Sequence, residues 1–293
     1  MSLEDAYAEA GKSGLSFLKL GASARGIAMG DAMSANVSGA AATYYNPAGL
    51  LNSSAEDSRT QVMLMHKEWI QDTRTEYFAT SFWLGDNDAL GFFLNSTTIA
   101  EIEIRTRPGT PEGTFTARNF SIGASYAHAI GENLRVGFTG KFLYEKIFVD
   151  EASGLAFDFG VQYVTSIENL SVGASLSNLG SINELRTESS KLPAFVRIGP
   201  AYSVDFESIN SKLILATDFL HSFPDDLSRM NLGSELVFNK TFAARVGYQI
   251  GSEGRGFAAG IGVHYGALAL DYAYSPLSFD LGNSHTISLV LNP

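Results

Sequence analysis

From residue 59 to the C-terminus the chain alternates in steps of two, and no long helical period interrupts it. In 241–250, Phe242, Ala244, Val246, Tyr248 and Ile250 fall on one side, with Ala243, Arg245, Gly247 and Gln249 on the other. In 256–265, Phe257, Ala259, Ile261, Val263 and Tyr265 oppose Ala258, Gly260, Gly262 and His264. The pattern recurs in 118–130, 133–147 and 169–178. Successive strand side chains point to opposite faces, so each run reads as a strand with one apolar face and one small or polar face. Turn signals separate the runs, among them GDND at 85–88, GEN at 131–133, FNK at 238–240 and GSEGRG at 251–256. The segmentation predicts fourteen strands, near 59–70, 73–84, 88–106, 117–130, 133–148, 154–166, 169–179, 193–204, 210–221, 228–238, 240–250, 255–265, 266–275 and 284–292.

The second face decides what surrounds such a sheet. A soluble sandwich needs an apolar inner face and a charged outer one. Here the non-apolar face is mostly Gly, Ser, Ala and Thr, and only 17% of all residues are charged. That surface suits a barrel interior, with the apolar face turned to lipid. The predicted strands are long enough for a tilted span of about 9–11 residues in hydrocarbon, and their number is even. No run of eighteen uncharged apolar residues exists, which excludes a transmembrane helix and leaves a barrel open. Trp69, Trp83, Tyr144, Tyr163, Tyr202, Tyr265 and Tyr274, near strand ends, predict aromatic girdles. The fold class expected is all-β: a 14-stranded antiparallel transmembrane barrel of the bacterial outer membrane, with outer-membrane lipid against its outer face.

A barrel of eight strands fills its interior with its own side chains, whereas a wider one leaves a lumen that is plugged or conducts. Residues 15–57, rich in Ala, Gly and Ser with helix-like patches, are the right size for a plug. The predicted organisation is therefore a flexible leader remnant at 1–14, an N-terminal hatch at 15–57 and the barrel at 58–293. The start MSLEDAYAEAGKSG has no basic region followed by an apolar one, so it reads as a mature form without a signal peptide.

The segment FLKLGASARGIAMGDAMSANVSGAAATYYNPAGL (17–50) and the last strand DLGNSHTISLVL (280–291) resemble the PorV/PorQ family of outer-membrane proteins, which is similar in fold to the FadL fatty-acid transporters. The chain departs from many outer-membrane barrels in ending Leu291-Asn292-Pro293 rather than on an aromatic residue. The resemblance implies a fourteen-stranded barrel with an internal hatch that contains the Asn-Pro-Ala turn. It further implies a type IX secretion-associated component that binds cargo or translocon proteins. The alternative it implies is a FadL-like passive transporter of hydrophobic compounds such as long-chain fatty acids, with lateral exit through the wall.

The candidate hatch residues are Arg25, Tyr44, Tyr45, Asn46, Pro47, Ala48 and Gly49. Pro47 disfavours helix at Asn46 and makes a rigid corner, with Tyr44 and Tyr45 expected against the inner wall. A buried Arg25 needs a partner, and Glu145, Glu235 or Asp271 is expected to bind it and hold the hatch to the wall. Arg135, Lys141, Glu145 and Arg245 are candidate lumen charges: the three inward cations offer a cationic spot for a ligand, but lumen charges usually pair with one another, and pairing is the preferred reading. The polar run Asn95, Ser96, Thr97 and Thr98 breaks a long strand and is a candidate lateral opening.

Other functions find little support. A net charge of −11 argues against nucleic-acid binding. The histidines at 66, 128, 221, 264 and 285 are scattered without metal-ligand spacing, and no G-x-S-x-G elbow is present. No enzyme activity, metal or other cofactor is expected. GSEGRG lacks a following helix and reads as a hairpin turn rather than a phosphate loop.

Overall fold

The computed structural model describes residues 13–51, 59–70, 72–188, 190–252 and 254–293. The expectation for 1–14 falls almost wholly outside them, as does the end of the expected hatch at 52–57. The strands are β1 (Thr60–Glu68), β2 (Thr73–Trp83), β3 (Asp88–Ile104), β4 (Gly113–Ile130), β5 (Leu134–Ile147), β6 (Asp150–Val164), β7 (Leu170–Ile182), β8 (Phe195–Phe206), β9 (Ser211–Ser222), β10 (Leu227–Phe238), β11 (Phe242–Ile250), β12 (Phe257–Tyr265), β13 (Leu268–Pro276) and β14 (Asn283–Leu291). Each pairs antiparallel with its sequence neighbours, and β14 returns to pair with β1, closing the barrel.

Parity decides the two faces. Phe92, Phe138, Leu155, Phe219 and Ile261 stand about half exposed on the outer wall. Ala79, Ala127, Thr139, Ala156 and Ala273 line the inside and are fully buried. The outer row therefore offers a continuous apolar belt, as a lipid-facing barrel requires. Short turns at 84–87, 131–133, 239–241 and 266–267 share one rim with the first residue of β1 and the last of β14. The longer connections 105–112, 183–194 and 251–256 lie on the other rim. Outer-membrane barrels turn short connections to the periplasm, so these are named the inner and outer rims.

Two places in the wall depart from regular pairing by a register shift, between Ile99 and Ile102 on β3 and between Phe157 and Phe159 on β6. A third interruption lies between β8 and β9. Pairing there stops at Ile198–Phe219 and resumes at Ala201–Ala216. Pro200 sits in the gap and has no N–H to donate, so a ladder bond is missing there.

The hatch fills the lumen. It enters at the outer rim, where the Gly14 amide donates to the Lys191 carbonyl at 3.0 Å. It then makes a short helix at Ala24–Ala28, a helical turn at Ala42–Tyr45 and a 3-10 turn at Pro47–Leu51 near the inner rim. Met29, Met33, Val37, Tyr45 and Leu50 are fully buried. Each such side chain contributes about 1.5–3 kcal/mol on leaving water. Small inner-wall residues make this approach feasible: a Cβ at Gly247 would collide with the Met29–Gly30 backbone, and Gly30 itself turns at φ +63°.

Candidate functional site: the hatch against the lumen wall

Pro47 forces Asn46 out of the helix at Ala42–Tyr45 into an extended conformation (φ −163°, ψ 107°). This aims the fully buried Asn46 side chain across the hatch–wall boundary. Its Nδ2 donates to Ser34 O on the hatch at 2.8 Å and to Val161 O on β6 at 3.0 Å, while its Oδ1 accepts from the Ala48 amide at 3.2 Å. The corner therefore fastens the hatch to the wall. Gly49 packs on the Val37 carbonyl, and a side chain there would come within 2.6 Å of it. Trp83 caps this end from the inner rim, donating Nε1–H to Leu50 O at 3.0 Å. It belongs to the lumen rather than to the expected outer girdle, because its odd position turns it inward.

Tyr45 is held on three sides. Its hydroxyl donates to Asp31 Oδ1 at 2.8 Å, its carbonyl accepts from Arg197 Nη1 at 3.2 Å, and the Arg197 guanidinium lies 5.4 Å from its ring centre. Burial pushes this phenol well up, with the Asp31 charge adding to it, so the hydroxyl stays a donor. Tyr44 meets Tyr45 and Tyr77 edge to face, and Tyr77 stacks on Phe93. Beside these rings, Leu18, Phe195, Asn95, Ser121 and Lys141 enclose a void of about 10 Å³. That is room for roughly one water and no hydrocarbon. Asn95 Oδ1 and Ser121 Oγ have no hydrogen-bond partner there.

Ion pairs complete the fastening. Arg25 grips Glu235 on β10 with Nε–Oε1 at 3.0 Å and Nη2–Oε2 at 2.6 Å. Glu235 also accepts from Arg245 Nε on β11 at 2.6 Å, and Arg245 Nη1 reaches Asp271 Oδ1 on β13 at 2.6 Å. Asp218 on β9 accepts from the amides of Met33 and Ser34 at 2.8 and 2.9 Å and from the Ser34 hydroxyl. At the outer rim, Asp225 accepts from Lys19 Nζ at 2.7 Å, Ser222 Oγ at 2.8 Å and the Ser13 amide at 3.0 Å. Burial pushes the Asp225 carboxyl up, but Lys19, Ser222 and Ser13 outweigh that and hold it below the usual carboxylate range.

Of the three carboxylates expected for Arg25, Glu235 binds it directly. Glu145 does not, because it lies on β5, well round the wall from the helix at Ala24–Ala28. Arg135, Lys141 and Arg245 form no common cationic spot, and Lys141 and Arg245 pair with carboxylates instead. Lys141 donates to Asp158 Oδ2 at 2.9 Å on one side of the barrel, and Arg245 pairs with Glu235 and Asp271 six strands away. Asn95, Ser96, Thr97 and Thr98 form no opening: β3 stays paired with β2 and β4 through all four, and its irregularity comes only after Ile99. Asn95 and Thr97 face inward and are buried, so polarity there reflects the lumen side of the wall. Asp31, Asp218 and Asp225 escaped the sequence reading as fastening points. Parity alone placed Asp218 inward, between Ala216 and Leu220, but nothing in the sequence pairs it with Ser34.

A Pseudomonas putida toluene transporter, TodX, superposes with a TM-score of 0.63 over 92% of this chain and 96% of its own, at 14% identity. The chain shares its fold. The monoaromatic hydrocarbon channel CymD gives the same TM-score and coverage at 12% identity. Among family models, a family of unknown function (DUF5723) matches residues 89–230. No curated protein matches the sequence. The closed fourteen-stranded antiparallel barrel, expected from the alternation, is thus a fold that these solved proteins share.

Proposed function

We propose that this chain is an outer-membrane barrel for the passage of small hydrophobic compounds, here with its hatch closed. The observation that carries the reading is the likeness to TodX and CymD over 92% of the chain, more than the barrel alone accounts for. The aromatic-lined void at Tyr44, Tyr77 and Phe93 supports it, since it lies where hatch and wall would part. In the closed form the void is too small for a ligand, so passage requires the hatch to move. The exit we assign is the interrupted seam between β8 and β9. Ser34 covers it from inside through Asp218 and the Gly199 carbonyl, and Ile198, Phe219 and Tyr202 flank it outside. The experiment is uptake of toluene, and of a long-chain fatty acid, by cells with an intact outer membrane that express this barrel. Uptake faster than in cells without it is expected; equal rates for both compounds would overturn the reading.

The segments 17–50 and 280–291 favour a second reading, a PorV/PorQ-like barrel that binds type IX secretion cargo or translocon proteins. Pull-down from native membranes tests it, and recovery of no such protein removes it.

A further inference from the structure

The void beside the Tyr44, Tyr77 and Phe93 rings has a polar corner. Asn95 on β3 and Ser121 on β4 stand directly opposite each other in the ladder, turned inward and only 2% and 1% exposed. Such cross-strand pairs lie about 4.5–5.5 Å apart at Cβ. Both line the void, and among the described residues neither Asn95 Oδ1 nor Ser121 Oγ has a hydrogen-bond partner. Other protons around the void are committed. The Tyr44 hydroxyl donates to Leu18 O at 3.1 Å. The Thr43 hydroxyl donates to Ala40 O at 2.6 Å, so the Tyr77 hydroxyl gives its proton to Thr43 at 2.9 Å. Lys141 lines the void too, and its ammonium donates to Asp158 Oδ2 at 2.9 Å and to Asn178 Oδ1 at 2.5 Å.

Buried polar groups left unpaired are costly, so this corner favours an occupant. The chemistry it accepts is narrow. The occupant must donate to Asn95 Oδ1 and accept from the Ser121 hydroxyl, through an atom between them. A hydroxyl does both. A methyl group does neither. A carboxylate cannot donate to the amide oxygen, and the Lys141 charge is already met by Asp158. An ammonium cannot accept, and would stand beside Lys141. One water makes the same bonds in the closed form, where about 10 Å³ is free. Leu18 and Tyr44 shut the void from the hatch side. On the wall side, Tyr77 and Phe93 stack at 5.7 Å and stay with Asn95 and Ser121 when the hatch moves. Tyr44 meets Tyr77 edge to face at 6.2 Å, so its departure leaves a ring-sized place against an aromatic wall.

We propose that Asn95 and Ser121 form a hydroxyl-binding seat, and that the barrel prefers small phenols to hydrocarbons of the same size. The ring takes the place that Tyr44 holds against Tyr77, and the hydroxyl bridges Asn95 and Ser121. This inference rests on the reading that the hatch moves to pass small hydrophobic compounds, and it names their class.

The test compares phenol with toluene, which carries a methyl group in place of the hydroxyl. Each is titrated calorimetrically into the detergent-solubilised full chain, and the ratio of the two affinities is read. Partition into the same detergent cancels between variants. Ser121→Ala and Asn95→Leu should each weaken phenol binding about tenfold and leave toluene binding within about twofold. Ser121 Oγ and Asn95 Oδ1 bond to nothing else among the described residues, so both variants should fold, with heat-modifiable gel mobility as the check. The seat is overturned if phenol does not bind, or if either folded variant keeps the phenol-to-toluene ratio of the unmodified chain. Toluene uptake by cells judges passage separately. Uptake with an unchanged ratio removes the seat alone, and a lowered ratio without uptake removes passage alone.

Discussion

Replacing Glu235 by Gln tests how the hatch is held. The substitution keeps the shape of the side chain and removes the charge that Arg25 grips through two contacts. Arg245 keeps Asp271 as a partner, so the loss falls mainly on the hatch. Removing one member of a buried pair costs about 3–5 kcal/mol. Arg25 is 23% exposed at its side chain, which places the cost near the lower end. About 3 kcal/mol shifts the docking equilibrium of the helix at Ala24–Ala28 by roughly 150-fold. The wall strands keep their own ladders, so the barrel stays folded. The assay is native-state hydrogen exchange of the Ile27, Met29 and Asp31 amides, which bond to Ser23, Arg25 and Gly26 carbonyls within the hatch. Exchange there should rise by about two orders of magnitude while β4 and β5 amides stay unchanged. Asp86→Asn is the control, since its pair with Arg59 is exposed and contributes about 0–1 kcal/mol. Hatch exchange within about threefold of the unmodified protein would refute the reasoning.

Three further outcomes follow from the same contacts. Asp225 is held below its ordinary value of about 4, so its contribution is complete above that value and is lost as pH falls through the lower folded value; the protection of the Gly14 and Leu18 amides, relative to their intrinsic exchange at each pH, should therefore be flat at neutral pH and fall only below about pH 4. Gly160→Val would drive a side chain into Asn46 and to 2.8 Å from Pro47 Cδ; an overpacking cost of about 1–3 kcal/mol is expected, seen as faster exchange of the Ala48 and Gly49 amides. Pro200→Val restores an N–H opposite Thr217 and should complete the β8–β9 ladder; hydrocarbon uptake that then stays unchanged would remove this seam as the exit.

The alternation carried the barrel. Phe242 through Ile250 and Phe257 through Tyr265 declared both faces, and all fourteen predicted strands lie within a few residues of their observed bounds except where β4 and β6 begin earlier. The hatch was legible because forty small residues are otherwise unexplained ahead of a wide lumen, and Asn46-Pro47 was legible as a corner because proline acts locally. Contacts across the lumen were not legible. Arg25 and Glu235 are 210 residues apart, and Ser34 and Asp218 are 184 apart, so no local rule joins them. Parity could turn Arg135, Lys141 and Arg245 inward but could not say which wall each occupies. Trp83 misled because strand-end aromatics are read as girdles, while its inward parity puts it under the hatch. Arg255 lay in a segment read only as a hairpin, and its reach to Asp31 depends on how that hairpin folds over the lumen.

The central claim is that the hatch closes the barrel and must move for hydrophobic compounds to pass. The chain has no cysteine, so a single engineered disulfide can lock it. A Cβ at Gly260 on β12 would lie 2.6 Å from that of Ala28 on the hatch and 2.5 Å from the Tyr272 carbonyl, so the hatch must withdraw by about 1 Å for the pair to reach bridging distance. The measurement is toluene uptake by cells expressing Ala28→Cys with Gly260→Cys, oxidised and then reduced. The account predicts uptake at the level of cells without the barrel when the bridge is formed, and recovery on reduction. Uptake by the oxidised form at the unmodified rate would contradict it.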